Sequence, residues 1–208
     1  MQPVIILGSG GHAKVLLDAL IKLQIPVVGL TDINVGKQNP VLDVPIIGTD
    51  ENVLDFAPTD VQLVNGLGSV GLPARRNALF AEFKERGYSF ATVVHPSAII
   101  AAGVELGEGV QVMAGAVVQT GCRIGANSIV NTRASVDHDC VIDCNVHIAP
   151  GVTLSGGVRV NTGVHIGTGA TVIQSIQIGA NSLVGSGALV IRDVPANVKV
   201  VGVPAKEV

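Results

Sequence analysis

Tryptophan is missing from this 208-residue chain, and one tyrosine and four phenylalanines leave it 2% aromatic. A core so poor in rings has to be aliphatic. Charge is sparse as well: 13 Lys and Arg against 16 Asp and Glu give a net charge of −3, and no basic run occurs, which argues against nucleic acid as a partner. There is no run of 18 or more apolar residues, so no membrane span is expected. The mean hydropathy of +0.53 is high for a soluble protein. Three cysteines, Cys122, Cys140 and Cys144, are an odd number without CxxC spacing, which speaks against a disulfide framework or a zinc site. The opening MQPVIILGSGG has no basic segment ahead of its apolar run and reads as folded domain rather than signal peptide; with the cysteine usage it points to the cytosol.

What the chain has instead is a period of six. From Ile100 to Val190 every sixth residue is Ile, Leu or Val, at all sixteen positions. Two residues ahead of each runs a mostly small column, from Ala98 to Ala188, that includes Cys122 and Cys140. A third column, from Gly103 to Gly187, holds mostly Gly, Asn and Asp, which tolerate the left-handed backbone of a sharp corner. Such a period fits neither an amphipathic helix nor a hairpin meander. It fits a hexapeptide β-helix in which each six makes a short strand and a corner, and three sixes make a triangular coil. About five coils follow, a prism roughly 25 Å long at the usual strand spacing. Its apolar residues are spaced by polar ones and glycine, which accounts for the hydropathy. Cys122 and Cys140, 18 apart in the inward column, are expected to stack in the core, which disfavours Cys140 as a nucleophile.

The first half reads as a small α/β domain. Val4–Leu7 is a buried strand, Gly8-Ser9-Gly10-Gly11-His12-Ala13 a glycine turn, and Lys14–Ile21 has helical spacing. This is a G-x-G-x-x-A turn between strand and helix, whose N–H groups can hold a phosphate. A tight βα turn without a ligand has the same look. Val27–Leu30 is a second strand ending at Thr31-Asp32, where an acid could take a ribose hydroxyl or a base edge; Val61–Val64 is a third, ending at Asn65-Gly66. A helix spans about Leu72 to Arg86, and between Asp32 and Asp60, a segment holding Pro40, Pro45 and Pro58, come a short strand at Val44–Ile47 and a short helix at Glu51–Phe56. A dehydrogenase would need a substrate domain where this chain has a solenoid, so the turn suits a nucleotide diphosphate better. The expected division is 1–92 and 93–208.

The most polar part of the prism is Asn131 to Cys140. His138 stands outside both inward columns and should project outward, with Asp139 on the corner itself. His147 and His165, 18 apart, should stack on one outer face, and for His165 a solvated surface imidazole is the expectation.

The leading I-I-L-G-S-G-G-H-A-K-V, the H-P-S-A entry, N-T-R-A-S-V-D-H-D-C-V-I, V-H-I-A-P-G and the closing V-G-V-P-A-K occur in an order that resembles the sugar O-/N-acyltransferases of the hexapeptide-repeat class. That family is typified by the sialic acid O-acetyltransferase and the UDP-4-amino-sugar N-acetyltransferase of bacillosamine synthesis. The resemblance covers nearly the whole chain. It implies a Rossmann-like nucleotide-sugar domain, a left-handed parallel β-helix, a homotrimer with active sites between subunits, and acetyl-CoA as co-substrate without a metal. By position it implies His138 as general base and Asp139 as the acid that raises its basicity. It further implies His147, Gly156, Thr168, Ser186 and Lys206 near acetyl-CoA, with Gly156 donating a backbone N–H to the thioester carbonyl. Gly10, Gly11, His12, Thr31, Asp32, Gly66 and Asn131 would then serve the nucleotide-sugar. Relatives with a UDP ligand can carry two consecutive acids where this chain has Thr31-Asp32. The implied reaction is N-acetylation of the 4-amino group of a nucleotide-linked 4-amino-4,6-dideoxy sugar. The alternatives are O-acetylation of sialic acid or a related glycan unit and, from the shared prism, a metal hydratase like the γ-class carbonic anhydrases, for which the H-x4-H pair is missing.

Overall fold

The computed structural model describes residues 2–34 and 42–208; Pro40 lies outside the described residues. Strands β1 (Val4–Leu7), β2 (Val27–Thr31), β3 (Ile46–Gly48) and β4 (Gln62–Asn65) form one parallel sheet in the order β3-β2-β1-β4. Crossovers are made by α1 (Gly11–Lys22) between β1 and β2, and by a 3₁₀ turn at Asp50–Asp55 between β3 and β4. After β4 comes α2 (Ala74–Glu85). β1 is buried along its whole length, as a strand flanked by parallel partners must be. Helix α1 begins three residues before Lys14, because Gly11-His12-Ala13 already has helical backbone. The segment expected as a helix at Glu51–Phe56 is 3₁₀, started by a capping box between Thr49 and Asn52.

From Val93 onward the chain is a three-faced prism of two- or three-residue strands. From Val93 to Val190 the strands pair in parallel 18 residues apart, as in Arg123↔Val141 and Ser135↔Thr153, and Leu183–Val184 then pairs with Lys199–Val200, 16 residues on. The faces carry five, six and eight strands, the eight-stranded one closed by an antiparallel strand at Lys206–Glu207. All fifteen residues of the third column have positive φ, between 56° and 78°. The aliphatic column is buried from Val112 to Val190, and Ile100 and Leu106 are half-buried at the open first coil. Polar atoms in the small column find carbonyls in the wall: Cys122 Sγ donates to Asp137 O, Cys140 Sγ to Ser155 O, and Ser128 Oγ to Asp143 O. Burial pushes the Cys140 thiol up to about 12, so it stays protonated and inert.

The α/β unit lies on the eight-stranded face. Met113, Val93 and Ala91 pack with Leu16 and Leu17 of α1. Outward-facing positions there are consequently covered: Gln111 and Ile129 are fully buried although they point away from the prism interior.

Candidate active site

Most of the expected site residues occupy two places in one chain, a cavity with a recess beside it and an exposed corner, and Lys206 lies apart from both. The larger is a cavity of about 640 Å³ where the glycine turn meets the prism. Gly10, Gly11, His12 and Gly66 line it from the α/β side, and Asn131, His147, Thr168 and Ser186 from the prism. Residues expected to serve the nucleotide-sugar and residues expected to serve acetyl-CoA therefore share one hollow. A recess of about 170 Å³ opens beside it, lined by Gly8 to Gly10, Thr31, Asp32, Asp50 and Arg75.

The turn works through backbone. Gly8 has φ of 91° and its N–H donates to Thr31 Oγ1 at 2.9 Å, while the Thr31 hydroxyl donates to Asp50. Thr31 is fully buried, and its hydroxyl is committed to shaping the turn. Asp32 accepts from the Ser9 hydroxyl and from the Asn34 N–H at 2.7 Å. Helix α1 has no side-chain cap and no acid in its first turn, so its first N–H groups lie open, as anion sites at helix starts do. A Cβ added at Gly10 or Gly11 would meet nothing within 4 Å, whereas one at Gly66 would sit 2.6 Å from Leu7 O. Gly66 is thus glycine for packing against β1. At Gly10 and Gly11 the missing side chains leave the space to whatever fills the cavity.

Behind this wall runs a buried polar network. Arg76, 2% exposed, donates to the carbonyls of Asn65 and Leu67 through Nη1 and of Asn127 through Nε. Burial lowers its pKa to about 9. Gln111 Nε2 donates to Asn65 O at 2.8 Å, which orients its Oε1 to accept from His12 Nε2 at 2.7 Å. Burial first, then Arg76, lowers the His12 pKa to about 4.

His147 and His165 do stack, their rings edge-to-face with centroids 4.9 Å apart. The expectation of a solvated His165 is overturned: the two residues are only 5% and 7% exposed, because the loop carrying Ser69 covers them. Their low pKa values have the same origin, burial bringing His147 down to about 3 with His165 adding to the shift, and burial lowering His165 also.

The second place is the corner Asp137–Cys140, which joins the six-stranded and five-stranded faces. His138 is exposed there, away from the cavity. Its Nδ1–H donates to Asp139 Oδ2 at 2.8 Å, and its backbone N–H to Asp137 Oδ1 at 2.8 Å. The hydrogen bond to Asp139, then the charge of Asp137, raises the His138 pKa. The ring lies over Gly156, where a Cβ would come within 2.6 Å of Cε1 and Nε2. Among the described residues the Gly156 N–H makes no backbone hydrogen bond. Lys206 is exposed on the closing strand and does not line the cavity. Reasoning from the residues alone missed Ser69, Gln111 and the use of Arg76, all of which depend on how the two halves dock.

A glycine-turn α/β unit on a hexapeptide prism with a paired His-Asp corner defines an acyltransferase class. The family description of the PglD N-terminal domain matches residues 3–83. Perosamine N-acetyltransferase from Caulobacter crescentus, solved as a histidine variant in complex with CoA and GDP-perosamine, is 36% identical over 100% of this chain and 97% of its own, with a TM-score of 0.92. The acetyltransferase domain of PglB from Neisseria gonorrhoeae, in complex with acetyl coenzyme A, is 33% identical over 100% and 99%, with a TM-score of 0.90. WeeI from Acinetobacter baumannii is 25% identical over the whole of both chains, with a TM-score of 0.88. No curated protein matches the sequence. This chain belongs to the hexapeptide-repeat sugar acetyltransferases, and its prism is the left-handed parallel β-helix of that family.

Proposed function

We propose that this chain transfers the acetyl group of acetyl-CoA to the 4-amino group of a nucleotide-linked 4-amino-4,6-dideoxy sugar. In this reading residues 1–92 hold the nucleotide-sugar and residues 93–208 carry out the transfer. The observation that carries it is the His138-Asp139 pair over Gly156. The Nδ1–H bond to Asp139 leaves the Nε2 lone pair free to take a proton from an attacking amine, and the carboxylate stabilises the imidazolium that forms. Acetyl-CoA supplies the thioester. Gly156, which has no room for a side chain beside the imidazole, offers its N–H to the thioester oxygen as negative charge develops, a contribution of roughly 3 kcal/mol. The open start of α1 at Gly10 and Gly11 suits the diphosphate of the sugar carrier. Relatives solved with CoA and with GDP-perosamine support both ligand assignments.

His138 and the cavity lie apart in one chain, so the reading includes a homotrimer in which one subunit's corner faces a neighbour's cavity. The cytoplasm is the compartment it implies. The test is thiol release from acetyl-CoA with UDP-, GDP- and dTDP-linked 4-amino sugars. One of these should turn over, and His138→Ala should cut turnover by about 10²–10⁴-fold. Wild-type turnover in His138→Ala, or no turnover with any of the sugars, refutes it.

A further inference from the structure

The cavity wall carries a chain of hydrogen bonds whose direction can be read from one end. The Thr132 N–H can only donate, and it does so to Asn131 Oδ1 at 2.8 Å. This fixes the Asn131 amide, so its Nδ2 donates to His147 Nε2 at 3.0 Å. Neutral His147 then carries its proton on Nδ1, which donates to Ser69 Oγ at 2.7 Å. The Ser69 hydroxyl has its own hydrogen left to give, and His165 Nδ1 stands 3.2 Å away to accept it. Among the described residues that hydroxyl has no other acceptor, so the arrangement puts the His165 proton on Nε2. Among the described residues that N–H has no partner, and His165 lines the cavity between His147, Thr168 and Ser186. Both nitrogens of His147 are occupied by protein. The histidine with a hydrogen bond to offer a ligand is His165.

We propose that His165 is a ligand-binding residue, its Nε2–H donating to an uncharged acceptor oxygen of a molecule in the cavity, with Ser69 as the positioning residue that sets its tautomer. A carbonyl or hydroxyl oxygen suits this donor better than a phosphate. A phosphate would draw a second proton onto the ring, which already accepts from Ser69 and packs against another buried imidazole. Ala149 and Pro150 beside it favour an uncharged group as well. Two sources meet the description, the amide carbonyls of acetyl-CoA and the sugar hydroxyls of the acceptor. The assignment rests on the proposed function for the identity of these ligands.

Titration calorimetry with acetyl-CoA and with GDP-perosamine, each alone, tests it on His165→Phe, which keeps the ring and removes the donor. One or both ligands should bind about 3- to 10-fold more weakly, the usual worth of one neutral hydrogen bond. The ligand affected identifies the source. His165→Gln, which restores an N–H at similar reach, should recover part of the loss, and Ser69→Ala should weaken the same ligand by less. If the wild type binds neither ligand, the proposed function fails. If His165→Phe binds every ligand that the wild type binds, one or both, with unchanged Kd, this assignment alone fails. Nitrogen-15 NMR of the wild-type imidazoles gives a reading that needs no variant: protonation of His165 at Nε2 and His147 at Nδ1 supports the chain, and His165 protonated at Nδ1 overturns it.

Discussion

Lowering the pH from 7 to 5 should loosen the seam between the two halves, and His147 sets the scale. In the folded chain its pKa lies at about 3, against 6.5 for an ordinary histidine. Below pH 6.5 the unfolded chain therefore takes up a proton that the folded chain refuses, and stability falls with pH until about pH 3. At pH 5 this one residue accounts for about 2 kcal/mol of lost stability, with a slope of about 1.4 kcal/mol per pH unit. His165 and His12 shift in the same direction and add to the loss; His12, half-buried at the cavity, adds less than its shift to about 4 suggests. His138 acts with the opposite sign. Its folded pKa is raised, so its contribution is present at low pH and lost as pH rises, but it is solvent-exposed and small. The measurement is urea unfolding at fixed protein concentration and ionic strength, followed by far-ultraviolet circular dichroism, since the chain has no tryptophan. The unfolding free energy should drop steadily between pH 6.5 and 5, and His147→Gln should flatten that drop by about 1 kcal/mol per unit. Equal stability at pH 7 and pH 5, or an undiminished slope in His147→Gln, would refute the account of a neutral, desolvated histidine pair.

On the proposed base role of His138, the acid limb of the transfer rate should have its midpoint above the ordinary histidine value of 6.5, because a base must be neutral to accept a proton and the pKa of this one is raised. Asp139→Asn should move that midpoint down and cost less turnover than His138→Ala; a pH–rate profile that does not shift contradicts the pairing. Gly156→Ala should displace the His138 ring and lower turnover by at least about 10-fold while circular dichroism stays unchanged. Gly11→Val should fold normally yet weaken nucleotide-sugar binding, whereas Gly66→Ala should lower the melting temperature, since only the second side chain meets backbone; the reverse pattern would show that the turn is glycine for packing. Light scattering should give a trimer at assay concentration, and a fully active monomer would exclude a shared site.

The prism was legible because each coil repeats the same steric demand. A corner at φ near 60° every six residues leaves a column of Gly, Asn and Asp, and the fixed 18-residue pairing leaves Ile, Leu and Val facing inward. Local order in the first half was legible for similar reasons, since β1, β2 and α1 follow from apolar spacing and glycine. The His138-Asp139 corner stood out as a polar interruption of a regular pattern. What could not be read was anything decided by docking. Gln111 is an outward polar position in the repeat, yet it is fully buried and bonded to His12, 99 residues earlier. His165 has the periodicity of a surface residue, and nothing in its own coil announces the Ser69 loop that covers it. Gly66 and Gly11 look equivalent as glycines beside a turn, and only the distance from a Cβ to Leu7 O separates them.

The docking of the α/β unit has a consequence for how the chain unfolds. A solenoid is held by nearest-neighbour terms, so its coils can in principle melt one at a time from either end. Here the α/β unit grips successive coils through Gln111, Asn127, His147 and His165. It acts as a splint along the prism, and the splinted coils should exchange their amide hydrogens together, in one cooperative event. The stretch beyond Val190 is outside its reach: Lys199–Val201 pairs in parallel with Leu183–Val184, and only the last short strand, Lys206–Glu207, is antiparallel against it. Fraying should therefore begin at that end, and the order in which amides lose protection would record where the splint stops.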